Sequence, residues 1–379
     1  MNDAKMSSAA VRRNILALDG GGVRGAISIA FLERIEALLA ERGGGRLADH
    51  FDLIGGTSTG AIIAGALTLG YSATDIRDFY LKLAPQVFRR SWRRLPGLQS
   101  VFDPAPLTRE IAAVVGDRTL ESPDLRTHLA IVMKRIDTGS AWVVTNNPRA
   151  PYWDDPADGS YVGNRRYMLK ALIRASTAAP HYFAPEPIPI LSNQPPGLFV
   201  DGGVTPYNNP SLLLAMVATI PAYGFGWPWG ADRLTIFSVG TGAYRATLDP
   251  AKAARMSSAG LAVKALAGLI TDAEVATLTL LQWLGRAETV WPINSEIGDL
   301  TDAPRPDPLF SFTRYDVRLE APWLEDELGM RLTHREIEGL RQIDNASMIP
   351  LAYEIAGRAA EKFVEPRHLE PLLSVASRG

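Results

Sequence analysis

The sequence contains no cysteine, which removes disulfides, thiolate nucleophiles and cysteine-based zinc or iron–sulfur sites together. Any covalent nucleophile is therefore an oxygen or a lysine. Histidine is scarce as well: the five are His50, His128, His181, His334 and His368, and none follows a strand-like run as a triad histidine usually does. An excess of one charge is also missing, with 39 Lys and Arg against 41 Asp and Glu, so no global basic field argues for a nucleic-acid polymer or an anionic membrane. No stretch reaches the ~18 uncharged apolar residues of a membrane span. The first apolar run, Asn14 to Leu18, falls short of a secretory h-region of roughly 7 to 15 residues. A cytoplasmic location is the expectation, with peripheral contact at the inner face of the membrane left open.

What is present is a globular composition, 46% hydrophobic, with glycine loops set between apolar runs. Ile15 to Leu18 is a short buried strand closed by Gly20-Gly21-Gly22. Ile27, Phe31, Leu32, Ile35, Leu38 and Leu39 then recur at helical spacing. Phe51 to Ile54, followed by Gly56-Thr57-Ser58-Thr59-Gly60 and an apolar helical run, repeats that order. Two consecutive βα units of a largely parallel sheet follow, and function in such sheets gathers at the carboxyl ends of strands. Further strands are expected at Leu129 to Met133, Ala141 to Thr145, Leu198 to Asp201 and Leu234 to Val239, and a helix from Arg166 to Ala179 stopped by Pro180. Residues 246–379 carry mainly helical patterns and are read as a helical extension packed on a core of residues 12–245.

Ser58 sits on a strand-to-helix turn between glycines, the position of an exposed nucleophile. A serine needs a base and an oxyanion site. Gly20 to Gly25 suits the second, since its N–H groups converge beside a helix N-terminus. The same residues also satisfy Gly-x-Gly-x-x-Gly, but a dinucleotide site needs an acidic residue at the end of the second strand, where Ile54-Gly55-Gly56-Thr57 stands instead. For the base, Asp201 ends a strand and precedes Gly202-Gly203; burial there would raise its pKa. Closing a turn is the alternative for an Asp-Gly pair. His181, after Ala175-Ser176-Thr177-Ala178-Ala179-Pro180, is the histidine hardest to dismiss.

Taken in order, Asp19-Gly20-Gly21-Gly22-Val23-Arg24-Gly25, Gly56-Thr57-Ser58-Thr59-Gly60 and Asp201-Gly202-Gly203 resemble the patatin-like phospholipase family, as do Ala175 to Pro180 and Asn208-Asn209-Pro210. The resemblance covers about residues 14 to 242. It implies a three-layer α/β/α fold with a mostly parallel central sheet, and a Ser58–Asp201 dyad hydrolysing acyl esters of lipids without metal or cofactor. It also implies an oxyanion loop drawn from Gly20, Gly21, Gly22, Arg24 and Gly25, with the Gly21 and Gly22 N–H groups holding the oxyanion. Arg24 is expected either near that loop or a lipid head group, or in a salt bridge to Asp19 or another carboxylate.

Expected partners are a phospholipid or membrane surface and, by similarity to bacterial antiphage effectors of this size, a cyclic nucleotide activator; an oligomer is compatible with both. A lipid-binding protein with an unused dyad is the non-enzymatic alternative. Two segments stand outside this scheme: Phe88 to Leu95, where arginines alternate with aromatics, and the aromatic loop Tyr223 to Gly230, suited either to lipid contact or to core packing. Asp299, Asp302 and Asp307 lack the spacing of a calcium loop.

Overall fold

Alternate residues of the first strand pack on opposite sides: Leu16 and Leu18 join one hydrophobic cluster, Ile15 and Ala17 another. A strand buried on both faces belongs in the middle of a three-layer sandwich. The structure, a computed structural model describing residues 11–87, 100–245, 247 and 249–373, places it there. The strands are β1 (Arg13–Leu18), β2 (Leu53–Thr57), β3 (His128–Arg135), β4 (Ser140–Thr145), β5 (Glu186–Ile188), β6 (Gly197–Asp201), β7 (Leu234–Val239), β8 (Arg286–Ala287) and β9 (Ser311–Tyr315). Their order is β5-β6-β3-β2-β1-β7-β9-β8, with β4 paired to β3. The pairs among β3, β2, β1, β7, β9 and β8 are parallel, whereas β4, β5 and β6 join antiparallel.

One face of the sheet is covered by α1 (Gly25–Ala40), α2 (Thr59–Thr68), α3 (Ala73–Val87), α4 (Pro104–Val115) and α5 (Leu169–Ser176). The other carries α6 (Ser211–Thr219), which packs on β1 and β7. After a short turn of helix, α7 (Pro250–Ala253), comes the 27-residue α8 (Ser258–Leu284), which touches α6. Then α9 (Ala321–Leu328), α10 (His334–Arg341) and α11 (Ile349–Phe363) follow, α11 lying against α1. No helix among the described residues is long and apolar enough to cross a membrane.

Three expectations need correction. The second strand starts two residues later than Phe51 and runs to Thr57, because Gly55 and Gly56 are held between β1 and β3 by parallel pairing on both sides. The helix expected from Arg166 occupies only Leu169–Ser176, after a 3-10 turn at Asn164–Arg166. Residues 246–379 are not purely helical: β9 pairs with β7 along Ser311 to Tyr315 and extends the sheet. Its pattern, Ser-Phe-Thr-Arg-Tyr, buries polar residues too, so it lacks the apolar run that marks a central strand. Phe88 to Leu95 lies outside the described residues. The aromatic loop packs inward at Phe225 and Trp227, which are buried, while Trp229 stays partly exposed.

Candidate active site

Two strand ends meet on one edge of β3. Since β4 pairs with β3 from Ala130 through Arg135, that edge is filled, and both β2 and β6 must use the other. β2 runs up it until Thr57 stands opposite Val132, and β6 enters from the far end until Asp201 stands opposite Met133. The residue after Thr57 is thereby delivered to the end of β6. Ser58 Oγ donates a 2.6 Å hydrogen bond to Asp201 Oδ2 across 143 residues of sequence.

Ser58 adopts φ 54°, ψ −124° at the N-terminus of α2, a conformation that costs a non-glycine residue about 1–3 kcal/mol and that recurs at functional turns. The turn closes only because its flanks lack side chains: a Cβ on Gly56 would stand 2.2 Å from the Gly60 backbone. The Ser58 amide is held by Ser176 Oγ at 2.9 Å.

Asp201 is buried, and burial pushes its carboxyl up to about 6, against the lowering effects of the Ser58 hydroxyl, the Gly203 amide and the Arg174 charge. Its Oδ1 accepts the Gly203 N–H at 2.7 Å. Arg174, also buried, has Glu186 3.9 Å from Nε and donates from Nη2 to the Ala184 carbonyl. Burial lowers its own pKa.

The glycine loop is fixed by its carbonyls. Gly20 O accepts from Thr241 Oγ1 at 2.8 Å, and Gly22 O accepts from Thr59 Oγ1 and from the Tyr80 hydroxyl. Of the loop amides, Gly20 N–H donates to Asn208 O, Arg24 N–H to Gly21 O, and Gly25 N–H to Gly22 O. The N–H groups of Gly21 and Gly22 have no such partner among the described residues, and both residues line the cavity that holds Ser58 and Asp201. Of the five residues expected in the loop, the two with free amides are Gly21 and Gly22, those expected to hold the oxyanion. The Arg24 side chain donates to Gly242 O at 3.0 Å and lies 5.6 Å from the Tyr244 ring centroid. Arg314, not Arg24, is the partner of Asp19, at 2.6 Å.

The cavity measures about 500 Å³ and is walled by Ile62, Leu107, Tyr182, Phe183 and, from α8, Ile270. None of the five histidines lines it. His181 and His334 are exposed; His50 meets the Leu372 carbonyl, His128 packs edge-on against Phe225, and His368 meets the Tyr315 hydroxyl. Asp52, the dinucleotide alternative's nearest acid, instead accepts from Asn14 N–H and pairs with Arg13. Chemically, the site joins a strained serine hydroxyl, a carboxylate able to take its proton near neutral pH, and two free amides facing an apolar space.

Reasoning from sequence missed Tyr80, Thr241, Arg174 and the supporting role of Ser176. Ser176 stood in the Ala175 to Pro180 segment, and Thr241 in Gly240-Thr241-Gly242 after a strand; Tyr80 and Arg174 carried no local signal.

The model of the family described as "Patatin-like phospholipase" matches residues 16–215. Over 214 residues the chain is 33% identical to a "cGAMP-activated phospholipase" of Vibrio cholerae serotype O1, covering 52% of this chain and 56% of that one. It is 29% identical over 209 residues to a protein of the same description from Escherichia coli, covering 53% and 54%. To "Patatin-15" of Solanum tuberosum it is 30% identical over 246 residues, covering 60% of each. The chain thus spans about half the length of the first two relatives and somewhat more of the third.

Proposed function

The chain belongs to the patatin-like phospholipase family, and we propose that it is a serine acyl-ester hydrolase acting on phospholipids. The observation that carries this reading is the 2.6 Å bond from Ser58 Oγ to a buried Asp201, in one cavity with the free amides of Gly21 and Gly22. Ser58 Oγ attacks the ester carbonyl carbon while Asp201 takes the hydroxyl proton. The negative oxygen of the tetrahedral intermediate is received by the Gly21 and Gly22 N–H groups, with the N-terminal end of the following helix adding positive potential. Asp201 returns the proton to the leaving lysolipid oxygen. It then accepts a proton from water, which attacks the acyl-serine carbonyl, and passes that proton to Ser58 Oγ as the C–Oγ bond breaks, releasing the fatty acid and restoring the Ser58–Asp201 pair.

The apolar cavity wall suits the acyl chain. Exposed Leu261, Leu269 and Val275 on α8, the helix that carries cavity-lining Ile270, suit peripheral contact with a bilayer. Hydrolysis of fluorogenic phospholipids and short-chain esters by the purified protein tests the reading, with Ser58→Ala as control. Loss of turnover in Ser58→Ala is expected; equal turnover in both proteins overturns it, and binding of lipid without turnover in either would favour the lipid-binding alternative.

A regulated version of the same chemistry is favoured by one observation, the similarity to two proteins described as cGAMP-activated. In this version a cyclic nucleotide raises the rate from a low basal level. The same assay with and without cGAMP separates the two: a rate independent of cGAMP and of related cyclic dinucleotides leaves the constitutive enzyme.

A further inference from the structure

A second cavity, of about 450 Å³, lies entirely within residues 288–368, beyond the stretch matched by the family. Its wall is aromatic. Trp291, Trp323 and Phe363 line it, with the rings of Trp323 and Phe363 6.0 Å apart and inclined by 35°.

The acids of the wall each have a cationic partner. Glu288, Glu327 and Glu365 are paired with Arg286, Lys362 and Arg367 respectively, and Asp316 shares Arg314 with Asp19 and Glu274. Arg318 has no ion-pair partner among the described residues. Its guanidinium lies 5.1 Å from the Trp291 ring centroid and spends one donor on the Pro292 carbonyl. A half-buried, stacked guanidinium with unused donors suits an anion carried beside a flat ring.

Two buried donors in the wall are also unsatisfied. Arg314 Nε and His368 Nε2 have no hydrogen-bond partner among the described residues, although both residues line the cavity and are at least 95% buried. The Glu365 amide, which can only donate, points at His368 Nδ1. Nδ1 is then the acceptor and Nε2 carries the hydrogen. Buried donors left unpaired are costly, and both nitrogens are closed off from the open cavity itself.

We propose that this cavity binds a nucleotide, its base against Trp291, Trp323 and Phe363 and its phosphate on Arg318. For its consequence, control of hydrolysis, the proposal rests on the regulated reading above; binding itself does not. The link to the first site is Arg314, which lines the second cavity and bonds Asp19 Oδ2 at 2.6 Å, the residue that leads into the glycine loop. Asp316, in the same wall, accepts the Gly242 amide at 2.8 Å, and Gly242 O holds Arg24. A ligand pressed against the wall that holds Arg314 and Asp316 would act on the support of the oxyanion loop.

The test is calorimetric titration of the full chain, in the Ser58→Ala background, with cGAMP, cyclic di-AMP, AMP and inorganic phosphate. At least one nucleotide is expected to bind with 1:1 stoichiometry, and Arg318→Ala and Trp323→Leu should each weaken it tenfold or more. Should Arg318→Ala fail to fold by circular dichroism, Arg318→Lys, which keeps charge but loses the planar fork, should bind more weakly than the parent. No binding by any nucleotide, binding indifferent to these substitutions, or phosphate binding as tightly as nucleotide overturns the proposal. With Ser58 intact, nucleotide-stimulated hydrolysis that ignores Arg318 leaves the regulated reading standing without this site. Arg318-dependent binding with no effect on hydrolysis leaves the site standing without the regulation.

Discussion

Ser176 Oγ accepts the Ser58 amide hydrogen at 2.9 Å and donates its own to the Val132 carbonyl at 2.6 Å. One hydroxyl thus ties the strained turn to the strand on which Thr57 and Asp201 are registered. Replacing Ser176 by alanine orphans a buried donor and a buried acceptor. Ser176→Ala is expected to cost about 1–3 kcal/mol of stability by urea unfolding. It should also lower kcat on the order of tenfold, ~1.4 kcal/mol of barrier, with KM little changed. An unaltered kcat would remove Ser176 from the positioning of Ser58.

The base must be ionised to accept a proton, and burial raises the Asp201 pKa to about 6. The sign follows directly: acidification through pH 6 protonates Asp201 and removes activity, while the rate levels off above it. A kcat/KM profile with an acid limb near pH 6 is expected. Asp201→Asn should abolish turnover with the fold intact by circular dichroism; near-normal activity in that variant would refute the dyad.

Arg174 lowers the Asp201 pKa through its charge. Arg174→Met removes that influence, so the acid limb should move to higher pH. A profile superimposable on the parent's would mean that the charge is not felt at Asp201.

Gly22 adopts φ +56°, and a Cβ there would stand 2.1 Å from the Ile343 carbonyl oxygen. Gly22→Ala should displace the loop and its free amides. Gly43, at φ +76° with nothing within 4 Å, supplies the control: Gly43→Ala bears only the backbone penalty of about 1–2 kcal/mol. The expected result is greater destabilisation and a far larger loss of kcat in Gly22→Ala than in Gly43→Ala, and equal effects would show that the contact with Ile343 yields freely.

Asp19 and Asp316 both rest on Arg314, at 2.6 and 2.7 Å, while burial pushes Asp19 up to about 7 despite that partner. Arg314→Met takes the shared partner from three carboxyls, Asp19 and Asp316, which are buried, and Glu274 at 3.3 Å. Breaking a buried pair costs about 3–5 kcal/mol, which thermal or urea unfolding at pH 8 should register; a loss under 1 kcal/mol would argue that both acids are carried neutral.

The first two βα units, the strands at β3, β4, β6 and β7, and the residues Ser58 and Asp201 were legible because each has a local cause. Parallel strands need apolar runs, a tight strand-to-helix turn needs glycine at close approach, and an acid before Gly-Gly ends a strand. β9 was not legible, since Thr313 and Arg314 are buried within it and Arg314 is stabilised there by Asp19, 295 residues away. Arg24, expected by resemblance near the oxyanion loop or in a salt bridge, has its amide on Gly21 O and its guanidinium on Gly242 O, partners no local pattern could name.

Sequence by itself thus marked the βα units and put Ser58 and Asp201 at strand ends, since periodicity and turn geometry act over a few residues, while the layers and the pairing of the two side chains were implied by the family resemblance. Only the tertiary structure decided that they touch. That depends on two strands sharing one edge of β3, and strand order and register are set by packing across the whole sheet. It likewise decided which loop amides remain free, because each donor's partner comes from elsewhere in the chain or from nowhere.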